Sequence, residues 1–338
     1  MAKKTITLDQ DFPHLGLSAG QTITFDDAIR TTDDGLAFYI SQLAQVEPRI
    51  YETKYPNINF QELVPVNSST PEWADSVDYI SYDAVTLGKF IGANADDLPN
   101  VALKAKKDSV PVGYAGNSFE YSLDELRKSQ QLNMPLDTTM AAAARRGAEE
   151  HMQRVAYFGD ADRGMHGLFN HPNVTGDATS TLNWLASATT GKMILDELNG
   201  MIGEVWQQSK GVHVPNTMVL AANRWTFLAT TMATEYAPDK TLLEILQAQN
   251  LYTRMTGQPM LIVPRFQLEG AGANSKDRIM IYEKNPENLV MYIPMFWRPA
   301  APQPRNLKIK VPAEYKVSGT EFRYPMSAAY FDLATMSK

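Results

Sequence analysis

The chain has 338 residues, a formal net charge of −7 and no cysteine, and it is long enough for one large or two ordinary domains. It lacks the roughly twenty consecutive apolar residues of a membrane span, which excludes a membrane protein. No apolar run follows its first lysines, which excludes a secretory signal. The charge argues against a protein built mainly to bind nucleic acid, and the lack of cysteine excludes disulfides and fits the cytoplasm.

The first 32 residues are predicted to form an extended arm, and a helix is predicted after them. Residues 1–32 are polar and rich in turn formers, with one short strand predicted at Thr22–Phe25. Asp33 then precedes apolar residues at helical spacing between Leu36 and Val46, which predicts a capped amphipathic helix.

A long extended region is predicted between Ile58 and Tyr121. Three segments have the composition of strands: Phe60–Val66, Val77–Phe90 and Val110–Tyr121. They contain few long apolar runs, and a hairpin without its own core is stable only when another surface covers it. The alternative is an ordinary sheet packed within its own subunit.

The clearest element is an amphipathic helix that starts at Leu136. Apolar residues recur at three- and four-residue steps as far as Val155. Charged residues fill the opposite face: Arg145, Arg146, Glu149, Glu150 and Arg154. A Ser122–Glu125 capping box opens a shorter helix before it, and we interpret the two helices as one spine with a kink at Pro135. Glycines at 159, 164 and 167 end the helix and force turns.

The second half of the chain predicts an α/β unit followed by strands. A helix is predicted at residues 190–209, and two more are predicted to be capped by Asn223 and Asp239. The predicted strands of the unit are Thr217–Ala222, Met260–Pro264, Arg278–Tyr282 and Leu289–Ile293. Three later strands are predicted to return to the long helix: Leu307–Val311, Glu314–Val317 and Ala328–Leu333.

Catalytic and metal motifs are weak. Residues 16–20 match G-x-S-x-G around Ser18 but lack the strand and helix of a nucleophile elbow, and the glycines at 270 and 272 open no helix that could bind phosphate. His166 and His171, near Asp160 and Asp162, match no standard metal spacing, and the same aspartates form only an incomplete calcium loop. We therefore predict no catalytic residue, no metal and no cofactor.

Several motifs together resemble one protein family. Tyr157-Phe158-Gly159-Asp160 at the end of the long helix is followed closely by Gly167-Leu168-Phe169-Asn170-His171-Pro172. Upstream motifs occur in matching order: Tyr55-Pro56, Leu63-Val64-Pro65-Val66, Ile80-Ser81-Tyr82-Asp83, Asp97-Leu98-Pro99 and Phe119-Glu120-Tyr121-Ser122. This pattern resembles the major capsid proteins of tailed phages, which share the Hong Kong 97-like fold with encapsulin nanocompartments. The resemblance covers residues 33–175 well, and the second half follows by analogy.

The resemblance implies an α+β capsid fold and a structural role. It implies an N-terminal arm (residues 1–51), an E-loop (52–118), a P-domain with the spine helix (119–180), an A-domain (181–298) and P-domain return strands (299–338). The chain is then expected to assemble as pentamers and hexamers into an icosahedral head that encloses double-stranded DNA. The alternatives are an encapsulin-like shell around protein cargo and, more distantly, a soluble hydrolase using Ser18 or the two histidines.

The resemblance also suggests residues and partners. Contacts between subunits are expected at Phe60, Val66, Tyr79, Tyr82, Lys89, Arg145, Arg146, Glu149 and Glu150. The P-domain and A-domain are expected to meet at Gly159, Gly167, Asn170, His171 and Pro172. The partners implied are copies of the chain, with scaffolding, portal and decoration proteins, in the host bacterial cytoplasm and then the virion. Some relatives cross-link a lysine between subunits, but nothing distinguishes Lys89, Lys104, Lys106 or Lys107 for that role.

Overall fold

The structure is a computed structural model that describes residues 5–7, 22–24, 57–85, 102–131, 136–233, 237–334 and 336. Its contacts divide the chain into two units, Met1–Asn57 and Ile58–Lys338. In the first unit, strands β1 (Thr5–Thr7) and β2 (Thr22–Thr24) pair antiparallel, which confirms the predicted strand. The helix predicted between Leu36 and Val46 lies outside the described residues.

The second unit mixes helices and strands. Its helices are α1 (Phe60–Leu63), α2 (Leu123–Gln131), α3 (Leu136–Phe158), α4 (Gly191–Gln208), α5 (Ala222–Thr230), α6 (Leu242–Gln249) and α7 (Leu251–Thr256). Its strands are β3 (Val66–Asn67), β4 (Ser76–Val85), β5 (Ala102–Ser122), β6 (Gly159–Asp160), β7 (Met165–His166), β8 (Thr175–Thr179), β9 (Thr217–Ala221), β10 (Met232–Ala233), β11 (Ala237–Thr241), β12 (Leu261–Arg265), β13 (Arg278–Tyr282), β14 (Leu289–Tyr292), β15 (Met295–Pro299), β16 (Gln303–Arg305), β17 (Lys308–Ser318), β18 (Thr320–Phe322) and β19 (Ala328–Asp332).

Helix α3 is the central packing element of this unit. Its C-terminal half buries Ala148, Met152 and Val155 in the main apolar cluster. Met140, nearer its start, packs against a smaller cluster that contains Phe119. Since residues three and four apart share one helix face, a single apolar stripe serves both clusters, as the spacing predicted. The break near Pro135 lies outside the described residues.

A five-stranded sheet has the order β12-β9-β13-β19-β8. Strands β12 and β9 are parallel, β13 is antiparallel to β9 and β19, and β19 is parallel to β8. Successive side chains of a strand point to opposite faces, so Ile279 and Ile281 join the cluster formed with α4, α5 and α6. Met280 and Tyr282 join the cluster that contains α3. Helices therefore cover both faces of this sheet.

Two strands lie in sheets other than those predicted. Ala328–Leu333 was expected to return to the long helix in one sheet with its preceding strands. Ala328 and Tyr330 do join the cluster that contains α3, but β19 lies between β13 and β8 of the five-stranded sheet. Leu289–Ile293 was expected in the α/β unit, but β14 (Leu289–Tyr292) pairs with β3 and β18. Both strands are buried at every position, and a continuously apolar run does not reveal its sheet partner.

A second sheet, of order β15-β17-β5-β4, is built on the long strand β5. The first half of β5 pairs with β4, from Ala102 opposite Val85 to Pro111 opposite Ser76. Its second half pairs with β17, from Val112 opposite Ser318 to Ser122 opposite Lys308. We call the two-stranded part, residues 76–85 and 102–111, the ribbon.

Three local predictions were wrong and one was confirmed. Phe60–Leu63 is helix α1, not a strand, because Phe60 and Leu63 turn into the apolar core together and are both buried. Helix α5 starts before Asn223, and α6 is capped by Thr241, not by Asp239, through a capping box with Glu244. The capping box of α2 is present, since the Ser122 N–H donates to Glu125 at 2.8 Å and the Glu125 N–H donates to the Ser122 hydroxyl at 3.1 Å.

Candidate functional site

The loop that leaves helix α3 closes back on the helix. Gly159 adopts a left-handed φ of 71° and pairs with His166 across β6 and β7. The Asn170 amide group donates to the Phe158 carbonyl at 2.7 Å, and its oxygen accepts the Gly167 N–H at 3.0 Å. The first bond satisfies the Phe158 carbonyl, a group that the helix end leaves without an intrahelical partner, and the second ties the loop to the same side chain, so Asn170 braces the loop against the helix.

The same loop is tied to the five-stranded sheet through His171. This histidine is buried, and its N–H donates to the Tyr330 hydroxyl of β19 at 3.0 Å. The Tyr330 hydroxyl donates in turn to the Leu168 carbonyl at 2.6 Å; burial raises its pKa, which keeps it protonated and able to donate. Four of the predicted junction residues thus contribute to the bonded loop, whereas Pro172 is exposed.

The histidines and aspartates of the loop contact each other and the backbone. The rings of His166 and His171 meet edge to face, with centroids 5.1 Å apart, and His171 Nδ1 accepts the Asn173 N–H at 3.3 Å. Asp160 accepts the Asp162 N–H at 3.1 Å and so caps the short 3₁₀ turn of residues 161–163. Among the described residues no group of three or more His, Asp or Glu side chains could hold a metal ion.

The other catalytic candidates gain no support from the geometry. Ser18 lies outside the described residues. The glycine loop at 270–272 leads into strand β13 instead of a helix of useful length. It is fixed by Asp332, which accepts the Ala273 N–H at 2.8 Å and pairs with Arg278 at 2.8 Å, so this loop is held by a buried carboxylate and not shaped to hold an anion.

The charged face of α3 forms ion pairs within the helix. Arg145 Nε lies 2.8 Å from Glu149 Oε1, and Arg146 Nε lies 3.0 Å from Glu150 Oε1. Both pairs have the spacing of neighbouring turns on one helix face. All four side chains are partly or largely exposed to solvent, so they remain accessible to another surface.

The ribbon has two different faces. On one face Val77 packs with Val110, and the Tyr79 hydroxyl donates to Glu321 at 3.0 Å; burial and the Glu321 carboxylate raise the pKa of Tyr79. On the other face Ile80 and Tyr82 are 55% and 64% exposed. The first face therefore anchors the ribbon to its own chain, and the second presents apolar groups to solvent.

The lysines of this region differ in environment. Lys106 pairs with Asp108 at 2.8 Å and Lys107 with Asp78 at 2.6 Å. Lys104 belongs to β5, and Lys89 lies outside the described residues. No helix among the described residues is long and apolar enough to cross a membrane.

The chain matches the family of major capsid proteins over residues 88–333. It belongs to that family. This capsid protein is structural and not an enzyme; it acts by assembling with copies of itself, and its place is the capsid of the virion.

Solved structures show the same fold at low sequence identity. The capsid of Myoviridae phage XM1 has a TM-score of 0.72 at 17% identity, over 87% of this chain and 98% of that chain. The capsid of a native GTA particle has a TM-score of 0.61 at 12% identity, over 86% and 95%. Mycobacterium phage Ogopogo gives 0.57 at 12%, over 88% and 98%. No curated protein matches the chain. The mixed helix and strand architecture is thus the Hong Kong 97-like fold.

Two features of this capsid protein were missed in the sequence. Helix α1 was read as a strand, and its Glu62 pairs with Arg265 of β12 at 2.6 Å. The turn before β4 carries Trp73 on the surface, and the signal for it was a tryptophan in the short polar segment Pro71-Glu72-Trp73-Ala74-Asp75.

Proposed function

We propose that copies of this capsid protein assemble as pentamers and hexamers into an icosahedral phage head that encloses double-stranded DNA. Membership of the major capsid protein family supports this proposal. The observation that carries it is the outer face of the ribbon, where Ile80 and Tyr82 present apolar area to solvent and pack against no core among the described residues of their own chain. Since such a ribbon is marginally stable unless something covers it, and since capsid proteins assemble with their own copies, the cover is an adjacent subunit.

Two of the predicted contact residues, Tyr79 and Tyr82, lie on opposite faces of the ribbon. Tyr79 is held by Glu321 of its own chain, so the outer face with Tyr82 and Ile80 is the surface we assign to the adjacent subunit. Phe60 is 3% exposed and packs inside its own chain. Val66 is half-buried against the same core. Lys89 and the charged residues of α3 stay predicted contacts.

Shortening the ribbon beyond the Tyr79–Asp108 pair tests the proposal. Tyr79 and Asp108 are directly opposite each other, so residues 80–107 can be replaced by an Asn-Gly turn, which suits a two-residue hairpin. The shortened protein keeps Val77 and Tyr79 and should retain a cooperative unfolding transition. We expect it to form no closed shells by light scattering and negative-stain microscopy, and intact shells would contradict the proposal.

A point variant separates loss of contact from loss of the ribbon itself. The double substitution Ile80→Thr with Tyr82→Thr keeps β-branched, strand-forming residues and removes apolar area from the outer face only. The matched control is Ser81→Thr on the opposite face. Assembly should fall in the double variant and stay unchanged in the control.

The net charge of the chain indicates how the shell would hold DNA. We propose that DNA is held by enclosure without sequence-specific binding, because a net charge of −7 offers little general attraction to phosphate. Scaffolding, portal and decoration proteins would take part during assembly in the host bacterial cytoplasm, and the α3 exit loop would form the junction of the P- and A-domains. Nuclease-protected DNA in purified particles is the expected result; particles filled with protein would favour a nanocompartment.

A further inference from the structure

A rigid turn before the ribbon presents Trp73 to solvent. The Trp73 side chain is 81% exposed, and no other large hydrophobic side chain among the described residues is more exposed. A single exposed apolar residue needs no explanation by itself. The surroundings of Trp73, however, are ordered in a way that an accidental surface residue does not require.

The base of this turn is fixed by several bonds. The Ala74 N–H donates to the Pro71 carbonyl at 3.1 Å, and the Val112 N–H donates to the Asp75 carbonyl at 2.9 Å. Lys316, itself mostly buried, reaches Asp75 Oδ1 at 3.0 Å and the Ala74 carbonyl at 3.3 Å. The turn therefore fixes the backbone on both sides of Trp73 before any partner arrives, which lowers the backbone part of the entropy cost of binding.

The neighbouring surface adds a second aromatic residue and an arginine. Arg298 Nη1 lies 3.4 Å from Glu72, and Arg298 Nη2 lies 2.9 Å from Glu314. The Tyr114 hydroxyl donates to Glu314 at 2.6 Å, while 55% of Tyr114 remains exposed. We call the surface formed by Trp73, Tyr114 and Arg298, with Glu72 and Glu314 between them, the Trp73 patch.

The composition of the Trp73 patch is that of a protein-binding surface. Trp, Tyr and Arg are the residue types that dominate binding energy in protein interfaces. The ion pairs that connect them are exposed and contribute little to the stability of a monomer, but they fix the orientation of Arg298. Arg298 and Lys316 are matched by Glu72, Asp75 and Glu314, so the patch has no excess positive charge for nucleic acid or anionic lipid.

We propose that the Trp73 patch docks onto a second copy of this chain. The inference rests on the proposed function. The patch is continuous with the ribbon, because the turn leads directly into β4 and Tyr114 follows the ribbon along β5. A copy that covers the ribbon is therefore brought next to Trp73. In such a contact, the Trp73 patch of one copy binds a different surface of the next copy. Head-to-tail contacts of this type can close into rings.

Fluorescence quenching tests whether Trp73 becomes buried on assembly. Acrylamide quenching is measured before and after assembly for the wild-type chain and for Trp73→Phe, which keeps an aromatic ring and leaves the other four tryptophans. We expect assembly to reduce the acrylamide quenching of tryptophan fluorescence much more in the wild-type protein than in the variant. Equal loss in both proteins means that Trp73 stays exposed in the shell and overturns the inference.

An alanine variant tests whether the contact matters. Trp73→Ala should raise the protein concentration needed for assembly at least about tenfold, the scale of an interface hot spot. The matched control is Phe266→Ala, since Phe266 is 77% exposed and lies outside the Trp73 patch; its assembly should change by less than about twofold. Normal assembly of Trp73→Ala overturns the inference and leaves the proposed function standing. A wild-type chain that forms neither rings nor shells overturns both.

Discussion

Gly167 shows how one residue fixes the end of the long helix. A Cβ atom at this position would overlap the Tyr157 carbonyl group and the Phe158 nitrogen, which are backbone atoms that cannot rotate away. We expect Gly167→Ala to lower the free energy of unfolding by about 3 kcal/mol, as for other overpacked buried sites. Urea denaturation followed by circular dichroism measures this change.

A second glycine provides the control for that measurement. Gly200 lies inside helix α4, and a Cβ atom there would meet nothing within 4 Å. Gly200→Ala should therefore leave stability unchanged or raise it by up to about 1 kcal/mol, since alanine favours helix more than glycine does. A similar loss in both variants would show that the effect is not the contact of Gly167 with the helix end.

At the scale of elements, measuring assembly can decide the role of the charged residues on helix α3. Exposed pairs between adjacent turns contribute about 0.3–0.5 kcal/mol each. The double variant Glu149→Gln with Glu150→Gln should thus lower the free energy of unfolding by no more than about 1 kcal/mol. If these residues also contact an adjacent subunit, the double variant should need a protein concentration several times higher than the wild type to assemble.

The pair between Lys128 and Asp124 on helix α2 is the matched control. It has the same spacing and is exposed on both sides, so Asp124→Asn should have a similar small effect on stability. Unchanged assembly in both variants would assign the α3 charges to the helix alone, whereas a defect in the α3 variant only would support the contact between subunits.

The elements themselves were predictable to different degrees. Helix α3 could be read from its periodicity because the apolar stripe spans several turns. The four residues of α1 could not, because Phe60 and Leu63 fit a strand as well as one helical turn. Strands β14 and β19 were found as segments, but their partners are distant in sequence, and no local pattern identifies the sheet that a fully buried strand joins.

The sequence singled out some of the residues that hold the exit loop, while their role at a domain junction stays a prediction. The motif from Gly167 to Pro172 pointed to the helix exit, where Asn170 and His171 make the bonds that hold the loop. Tyr79 and Tyr82 were grouped together in the sequence, whereas the structure separates them. Which ribbon face meets its own chain depends on Glu321, a residue far along the sequence, so alternation alone could not decide it.

For the whole molecule, two histidines give stability a dependence on pH. Burial is the main cause that lowers the pKa of His151 and His166 from the usual 6.5. Between the lowered folded-state pKa values and about pH 6.5, the unfolded chain therefore binds more protons than the folded one. The contribution of these histidines to stability is complete above that pH and is lost as the pH falls from there through the lower folded-state pKa values.

Urea denaturation at about pH 7.5 and 5.5 measures this dependence. The wild-type protein should be less stable at the lower pH, and His151→Gln with His166→Gln should reduce the difference. His151 contacts the Tyr315 hydroxyl at 2.9 Å, so glutamine is chosen to keep a polar partner there. An equal pH dependence in both proteins would assign the effect to other groups.

The position of β19 inside the five-stranded sheet has a consequence for synthesis of the protein. Strand β8 pairs only with β19 among the described strands, yet β19 follows it after most of the second unit. On the ribosome, the nascent chain must carry β8 without its partner until residues 328–332 emerge. The sheet that supports the helix exit loop is therefore completed late, and unpaired strand edges are exposed to wrong contacts until then.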